Sequence, residues 1–305
     1  MNQYKHVALI GLGLLASSIS LAMRRAGMDT RITGTARSCE TRKTALEIGL
    51  VDAVFDTAAE AVKGADLVIL CAPVGAMSAI AAEIAPHLSE GCTISDVGSV
   101  KRAVVNAVSP HMPENVHFIP AHPMAGTEKS GPEAGFASLF DNRWLLITPL
   151  PDTNHSAVER LMAYWTALGS NVELMKIDHH DLVAAVISHT PHLIAYTMVG
   201  VADGMNKVAK TEVVNYSAAG FRDFTRIAAS DPTMWRDVFL NNKDATLEVL
   251  GRFTEELLAL QRAIRLEDGD FLFDYFTRTR DIRRSIVDAG QDTEAPDFGR
   301  IKPEK

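Results

Sequence analysis

The sequence predicts an α/β fold in which a doubly wound parallel sheet is followed by an all-α helical domain. Short apolar runs alternate with helix-length segments through the first 150 residues, and no strand pattern follows Asp178. The first half is also poor in charge: residues 1–150 carry 12 basic and 14 acidic side chains, against 18 and 24 in residues 151–305. Parallel strands that are buried on both faces read as nearly continuous apolar runs, which accounts for this difference.

Each apolar run is a predicted strand, and the segments between the runs are predicted helices. The strands are expected over residues 6–11, 30–36, 65–73, 91–99, 116–123 and 144–150, with a last short strand over 171–175. Helices are expected between them over 14–27, 41–49, 74–88 and 100–108, and from about 152 to 168. Apolar residues at helical spacing predict further helices over 179–204, 206–216, 232–264 and 267–289. We expect a first domain over 1–176, a helical domain over 177–290 and a polar tail over 291–305.

The composition excludes several classes of protein. With 305 residues, 47% of them hydrophobic, the chain is neither disordered nor fibrous. A net charge of −8 argues against a nucleic-acid binder and against a polybasic membrane anchor. We find no signal peptide pattern and no apolar stretch of about 18 residues, so no membrane span is expected. Cys39, Cys71 and Cys92 have no CxxC spacing and fit neither a disulfide framework nor a zinc site, which favours a cytoplasmic protein.

The first strand runs into the glycine-rich turn GLGLLA, which opens a helix. Gly11 allows the tight turn, Gly13 lets the backbone approach a pyrophosphate, and Ala16 keeps the helix close to the strand. The helix N-terminus around Leu14 and Leu15 supplies N–H groups and the positive end of a dipole to the phosphates. At the first junction of a strand–helix alternation, this turn predicts a Rossmann-type domain that binds a dinucleotide.

The end of the second strand predicts which dinucleotide is preferred. A carboxylate there usually holds the ribose of NAD, but the strand ends at Thr35, Arg37 and Ser38, with no acid before Glu40. The guanidinium of Arg37 is able to stack on adenine and pair with a 2′-phosphate. We therefore expect NADP. The alternative is that Arg37 is a solvated loop residue and that NAD is accepted as well.

Ligands of open α/β sheets bind beyond the carboxyl ends of the strands, and two short segments follow such ends here. The small segment Cys71, Ala72 and Pro73 suits packing against the nicotinamide or its ribose. Ser99 and Lys101 stand at the start of a helix beyond a strand end, where Ser99 is a candidate ligand contact but is equally suited to be an N-cap.

His122, followed by a proline, ends a third buried segment at the same edge. Imidazole is the side chain best suited to take a proton near neutral pH, so we expect a catalytic role, with a structural histidine as the alternative. Thr127, in the same segment, is a predicted substrate contact.

A polar cluster lies at the start of the predicted helix over 179–204. Offsets of 7 and 11 residues place Asp181, Ser188 and His192 within about 20° of one line, with His189 about 80° away. Such a stripe faces solvent or a cleft, and Pro191 is expected to bend the helix. A metal site is a weak alternative, because no HExxH or carboxylate-rich spacing accompanies these histidines.

A last cluster contains Arg226 in the half-apolar segment GFRDFTRI. An arginine in such surroundings needs an anionic partner, either Asp223 or a substrate carboxylate. Ser230 or Asp231 before Pro232 is a common helix start and needs no function.

The chain resembles the prephenate/arogenate (cyclohexadienyl) dehydrogenases of tyrosine biosynthesis over roughly residues 5–285. The resemblance rests on five segments in this order: GLGLLASS, DVGSVK, AHPMAGTEKSG, HHDLVAAVISHTPH and GFRDFTRIAASDPTMW. It implies oxidative decarboxylation of a cyclohexadienol, in which hydride passes to the nicotinamide and the ring carboxylate leaves as CO₂. It also implies a homodimer built on the helical domain.

The resemblance assigns roles to individual residues. His122 would accept the proton of the ring hydroxyl, Ser99 would hydrogen-bond His122 near the nicotinamide, and Arg226 would hold a substrate carboxylate. The same match places His189 and His192 in the lining of the substrate pocket. It places His180 and Asp181 behind them, and Trp235 in the pocket wall.

Two further features concern the substrate. Thr190 replaces the family's usual leucine, and the choice between prephenate and arogenate depends on one or two polar groups that sequence order does not identify. The chain lacks the length for a regulatory domain, so tyrosine, a candidate inhibitor, is expected to act at the active site. Rival interpretations are a β-hydroxyacid dehydrogenase or imine reductase of similar architecture, and a protein that senses NADP without turnover.

Overall fold

The computed structural model describes residues 4–205 and 218–288. They fall into two compact units that divide between Thr246 and Leu247. The helix predicted over 206–216 and the polar tail predicted over 291–305 lie outside the described residues.

The main sheet has six parallel strands in the order β3-β2-β1-β4-β5-β6. The strands are β1 (His6–Ile10), β2 (Arg31–Thr35), β3 (Ala53–Val54), β4 (Leu67–Leu70), β5 (Thr93–Asp96) and β6 (His117–Phe118). The order reverses between β1 and β4, so the prediction of a doubly wound sheet is confirmed. Ile10 pairs with Thr35 on one side and Leu70 on the other, and Leu70 pairs with Asp96. The carboxyl ends of four strands therefore lie together at one edge.

Helices cover both faces of this sheet. They are α1 (Leu14–Arg25), α2 (Cys39–Glu47), α3 (Ala58–Ala61), α4 (Met77–Ile84), α5 (Lys101–Val108) and α6 (His155–Ala167). Val7 and Leu9 of β1 belong to one apolar cluster, whereas Ala8 and Ile10 belong to another. Since successive side chains of a strand point to opposite faces, this alternation explains why the strands read as unbroken apolar runs.

The strands expected over 144–150 and 171–175, and the second half of the one expected over 116–123, form a second sheet, so the expectation of a single sheet is wrong. The segment 116–123 divides at Ile119 and Pro120, because proline has no N–H to give to a strand ladder. The second sheet contains β7 (Ala121–Pro123), β8 (Trp144–Ile147) and β9 (Asn171–Leu174), with β7 antiparallel to β8 and β9 parallel to it. His122 is therefore carried by the second sheet, just beyond the carboxyl end of β6.

The rest of the described chain is helical, as predicted, although the helix expected over 232–264 is divided at Asn242. The first unit continues with α7 (Ile177–Ala184), a π-helical turn (Ala185–His189), α8 (Thr190–Gly204), α9 (Ala219–Thr225) and α10 (Pro232–Asn241). The helix α11 (Lys243–Arg265) begins before the division at Leu247 and continues beyond it, and α12 (Gly269–Asp288) follows in the second unit.

Helices α7 and α8 and the turn between them form one continuous helix, Ile177–Gly204. It is long and apolar enough to cross a membrane by length and composition, whereas no apolar stretch of that length was expected. Buried side chains that it carries, among them His180 and Asp181, bond to groups of the sheet region. Its other face exposes apolar side chains, including Val186, Ile187 and Val201.

Candidate active site

The glycine-rich turn has the geometry that a dinucleotide site requires. Gly11 has a φ of +104°, and a Cβ there would lie 2.9 Å from the carbonyl carbon of Cys71, so only glycine fits. Its N–H donates to the carbonyl of Thr35 at 2.9 Å. Gly13 precedes α1 with open space where a Cβ would stand, and no side chain caps the helix. The first N–H groups of α1, from Leu14 on, are thus suited to hold a pyrophosphate.

The end of β2 offers a cation but no carboxylate. Arg37 is exposed, whereas the neighbouring Arg42 is paired with Asp56 at 2.6 Å. Two of the residues expected to bind cofactor hold the fold with their side chains: the Thr35 hydroxyl donates to the carbonyl of Phe55, and the Ser38 hydroxyl caps α2. The guanidinium of Arg37 and the O–H of the exposed Ser38, which the cap uses as an acceptor only, are both able to donate to a 2′-phosphate.

The small segment after β4 lies against the same turn. Cys71 follows the last residue of β4, and its backbone touches Gly11. Burial raises the pKa of the Cys71 thiol, so it remains neutral. Ala72 is half-buried and Pro73 is exposed. The glycine-rich turn, the segment after β4 and the start of α1 form one cradle that fits a dinucleotide.

A buried ion pair joins the main sheet to the strand that carries His122. The Lys101 ammonium is fully buried and donates to the carboxylate of Asp96, the last residue of β5. The same ammonium donates to the carbonyl of Ala121 at 2.6 Å, and the Ala121 N–H donates to Asp96 at 3.2 Å. The backbone immediately before His122 is therefore held at both its N–H and its C=O.

Ser99 is not the N-cap of α5. The helix begins at Lys101, and its first N–H groups donate to a carboxylate from another helix. Asp181 of α7 accepts from the N–H of Lys101 at 2.7 Å and from that of Arg102 at 2.9 Å. Ser99 itself is half-buried beside the end of β5.

His122 is bonded to another histidine. Its Nδ1 lies 2.9 Å from Nε2 of His180, and Nδ1 of His180 lies 2.8 Å from Oδ1 of Asp181. No bond joins Ser99 to His122 within the described residues, and Nδ1 of His122 bonds to His180 of α7 instead. His122 is 8% exposed, and its Nε2 makes no hydrogen bond within residues 4–205 and 218–288. That nitrogen is the one available to a ligand.

The His122 imidazole is neutral at neutral pH. Burial lowers its pKa well below the ordinary value of 6.5, and the nearby His180, Lys101 and His189 lower it further. A neutral imidazole with one unoccupied nitrogen is able to accept a proton from a bound hydroxyl.

The polar stripe predicted along the long helix does not exist as one line. A π turn from Ala185 to His189 changes the rotation of the helix, so residues on either side of it no longer follow the α-helical spacing. His189 is fully buried, with Nδ1 3.0 Å from the amide nitrogen of Asn242, and does not line an open pocket as expected. Ser188 is half-buried, and Pro191 lies in the first turn of α8.

His192 and Trp235 form a stacked pair. Their ring centroids are 3.7 Å apart with planes 25° from parallel, and Nδ1 of His192 donates to the carbonyl of Ser188 at 2.8 Å. This leaves Nε2 of His192 as an acceptor. Burial lowers the pKa of His192, and the charge of Arg226 lowers it further, so His192 is neutral and close to that guanidinium.

Arg226 has a partner that the sequence did not suggest. Its Nη1 lies 2.7 Å from the Glu128 carboxylate, so Asp223, one of the two partners considered, is not the partner observed. Both side chains of the pair are about a third exposed, which leaves the guanidinium open to a second anion. Thr127 is exposed, and its hydroxyl accepts from the N–H of Lys129 at 3.2 Å.

Comparisons with known proteins agree with this geometry. A model of the prephenate dehydrogenase nucleotide-binding domain matches residues 19–174, and a model of the prephenate dehydrogenase dimerization domain matches residues 176–278. The chain belongs to the prephenate dehydrogenase family. Members of this family are nicotinamide-linked oxidoreductases that act by oxidative decarboxylation in tyrosine biosynthesis, and the β-hydroxyacid dehydrogenase alternative is thereby set aside.

Individual proteins of the family match this chain along most of its length. Cyclohexadienyl dehydrogenase of Zymomonas mobilis is 41% identical over 286 residues, which cover 94% of this chain and 97% of the relative. The structure of A. aeolicus prephenate dehydrogenase in complex with hydroxyphenyl propionate and NAD+ is 32% identical, with a TM-score of 0.85 over 92% of this chain and 98% of that one. The Synechocystis arogenate dehydrogenase structure is 26% identical, with a TM-score of 0.76 over 92% and 99%.

Several residues of the site have roles that the sequence did not predict. Lys101 and Asp96 form the buried pair, Glu128 holds Arg226, and Asn242 bonds both His189 and the carbonyl of Asp181. Glu128 carried a sequence signal, since it lies six residues after His122 in a segment already singled out. Asn242 carried none, because it stands between two helices with no motif around it.

Because several histidines are buried, we expect the protein to lose stability as the pH falls. Burial lowers the pKa of His189 to about 4, while in the unfolded chain it titrates near 6.5, so below pH 6.5 the unfolded state binds the extra proton. The stability contributed by neutral His189 is therefore present above pH 6.5 and is lost as the pH falls toward 4. Between pH 7 and pH 5 this loss is about 2 kcal/mol.

Urea unfolding of the wild type and of His189→Gln at pH 7 and pH 5 measures the stability that neutral His189 contributes. We expect the variant to lose about 2 kcal/mol less than the wild type over that interval. His179→Gln is the matched control, because it makes the same change of residue type at an exposed histidine of the same helix, outside the buried site. Equal losses in the wild type and His189→Gln would contradict the prediction.

Proposed function

We propose that this chain converts prephenate to 4-hydroxyphenylpyruvate and arogenate to tyrosine by oxidative decarboxylation. The observation that carries the proposal is His122: a neutral imidazole, held at Nδ1, with Nε2 available at the edge of the site. The family match supplies the reaction class, and the anionic substrate accounts for Arg226 beside the site.

When bound, the nicotinamide accepts the hydride from the ring carbon that bears the hydroxyl. His122 takes the hydroxyl proton at Nε2 and returns it to the phenolate oxygen after CO₂ has left, so no net proton is released. Arg226 holds a substrate carboxylate through a charge-assisted hydrogen bond. Trp235 packs with Val100 and Val238 in a buried apolar cluster, which would keep water from a ring bound against it.

Glu128 supports the use of both substrates. It lies 2.7 Å from Arg226, so the carboxylate of a substrate side chain that reaches this guanidinium also comes near Glu128. A carboxylate at that point attracts the ammonium of arogenate and tolerates the keto group of prephenate. The similar proteins include one named as a cyclohexadienyl dehydrogenase and one named as an arogenate dehydrogenase, which fits a site able to take either compound.

The proposed cofactor preference is NADP, with NAD accepted. The exposed Arg37 and the absence of an acidic residue between Thr35 and Glu40 favour a 2′-phosphate. A related structure holds NAD+, so we expect a preference of degree and not strict exclusion.

A two-by-two assay of prephenate and arogenate against NAD and NADP tests these proposals. We expect reduced cofactor to form with both substrates, with a lower KM for NADP than for NAD. Arg37→Ala should raise the KM for NADP about tenfold and leave that for NAD within twofold, since a charge-assisted contact contributes about 1.5 to 3 kcal/mol. If neither substrate yields reduced cofactor under any condition, a protein that binds NADP without turnover becomes the better interpretation.

Arg226→Ala is expected to raise the KM for prephenate by about 10- to 100-fold, with a smaller change in kcat. The reason is the loss of a charge-assisted bond to a substrate carboxylate. Glu128→Gln removes the same ion pair but keeps the guanidinium, so its KM for prephenate should not rise. If Arg226→Ala leaves the KM unchanged while both variants lower stability equally, the Arg226–Glu128 pair is structural only.

The assembly is proposed to be a homodimer in the cytoplasm. The region 176–278 matches a dimerization domain, and the exposed apolar side chains of α7 and α8 need a cover. The three free thiols, Cys39, Cys71 and Cys92, suit a reducing compartment. Tyrosine, which has a phenol for His122 and a carboxylate for Arg226, is a competitor at the same site.

A further inference from the structure

Asp181, His180 and His122 form a continuous chain of hydrogen bonds that ends at the site. The first bond joins Oδ1 of Asp181 to Nδ1 of His180 at 2.8 Å, and the second joins Nε2 of His180 to Nδ1 of His122 at 2.9 Å. His180 is fully buried, and the side chain of Asp181 is 8% exposed, so water does not compete for these bonds.

The position of each proton in this chain of hydrogen bonds follows from the ionised carboxylate of Asp181 at its end. Burial alone would raise the pKa of Asp181, but hydrogen bonds from His180 and from the N–H groups of Arg102 and Lys101 lower it below the ordinary value. Asp181 is therefore an acceptor only, and Nδ1 of His180 must carry a proton. Since His180 is neutral, its Nε2 is an acceptor, and Nδ1 of His122 must donate to it. The lone pair of His122 is then at Nε2, toward the site.

We propose that His180, backed by Asp181, is a positioning residue that holds His122 in this tautomer and receives its Nδ1 proton during turnover. The inference rests on the proposed function. As the ring hydroxyl gives its proton to Nε2 of His122, the Nδ1–H bond of His122 breaks and a new N–H bond forms at Nε2 of His180. The hydride goes to the nicotinamide. After the ring carboxylate leaves as CO₂, its electron pair makes a phenolate, which takes a proton back from His122 as the relay reverses.

The surroundings favour the positive charge on His180 over His122. The ionised Asp181 contacts His180 directly, and Asp96 also attracts a charge there. The groups that face His122 are His180, Lys101 and His189, and each of them opposes a positive charge. Lys101 also opposes a charge on His180, but there the carboxylate in direct contact compensates. The relay thus moves a proton away from the less favourable of two buried sites.

Asp181 is unsuitable for a test because it also caps α5, so the variants are placed at His180. His180→Leu removes both the acceptor and the relay, and His180→Gln restores an acceptor for Nδ1–H without a basic nitrogen. We expect kcat with prephenate and NADP to fall by about a hundredfold or more in the first and about tenfold in the second. KM values for both compounds should stay within about twofold, and His179→Gln should match the wild type.

A spectroscopic measurement tests the tautomer without turnover. In protein labelled with [15N]histidine, with His122→Asn used for assignment, the His122 ring should show a protonated Nδ1 and an unprotonated Nε2. An unprotonated Nδ1 in the wild type would overturn the inference, as would a His180→Leu variant within threefold of the wild-type kcat, or a fully active His180→Gln. A wild type that turns over neither substrate would instead refute the proposed function, whatever the tautomer, and the two failures are therefore distinguishable.

Discussion

His122→Asn is expected to lower kcat with prephenate by about two to four orders of magnitude, the usual contribution of a positioned general base. Asparagine keeps a polar group near His180 but has no basic nitrogen at the position of Nε2. The cofactor cradle lies on other segments, so the Kd for NADP should stay within about twofold. Steady-state rates at saturating substrate, together with cofactor binding followed by fluorescence, measure the two quantities.

A second histidine provides the control for this variant. His117 is the first residue of β6, whereas His122 lies beyond the last residue of that strand. His117→Asn should therefore leave kcat within about twofold of the wild type. Because burial lowers the pKa of His122, the active neutral form persists below pH 6.5, and kcat/KM should begin to fall only at lower pH. Turnover retained in His122→Asn, or an acid limb centred above pH 6.5, would remove His122 as the base.

Lys101→Met is expected to destabilise the protein by about 3 to 5 kcal/mol, the largest effect on stability that we predict. The substitution leaves the Asp96 carboxylate buried without its cation, and it removes the bond to the Ala121 carbonyl. Since that carbonyl immediately precedes His122, activity should fall as well. Urea unfolding at pH 7 gives the change in the free energy of unfolding.

Two comparisons separate the buried pair from a surface charge. Adding Asp96→Asn to Lys101→Met removes the uncompensated charge, so the double variant should be more stable than Lys101→Met alone. Arg102, the next residue, forms an exposed pair with Asp178, and Arg102→Met should cost less than about 1 kcal/mol. Equal losses for Lys101→Met and Arg102→Met would show that burial of the pair contributes nothing.

The cofactor half of the site was largely predictable because its signals are local. The turn at Gly11 needs a positive φ and a close approach of Cys71, and a glycine directly after an apolar run shows this need in the sequence. The helix that starts at Leu14 follows from the residues around it. Local conformation and burial leave periodic patterns, so the six-stranded core and the helices beside it could be inferred, apart from the two-residue strand β3.

The substrate half was predictable in its members but not in their contacts. His122, His192 and Arg226 were identified by motif. The bond expected between Ser99 and His122 is not formed in the described part of the chain, however, and Asp223, one of two partners considered for Arg226, is not the one observed. The observed partners, His180 and Glu128, lie 58 and 98 residues away along the chain. The π turn before Thr190 likewise rotated the long helix in a way that α-helical spacing could not show.

The sequence by itself determined the alternation of strands and helices in the first half of the chain, the glycine cradle and the residue types that perform the chemistry. Only the tertiary structure decided which side chain meets which: that Asp181 reaches α5, that His180 reaches His122, and that Lys101 is buried against Asp96. The physical reason is that backbone preference and burial act on neighbouring residues and leave a pattern in the sequence. A hydrogen bond between distant elements depends on how those elements pack, and no local pattern records it.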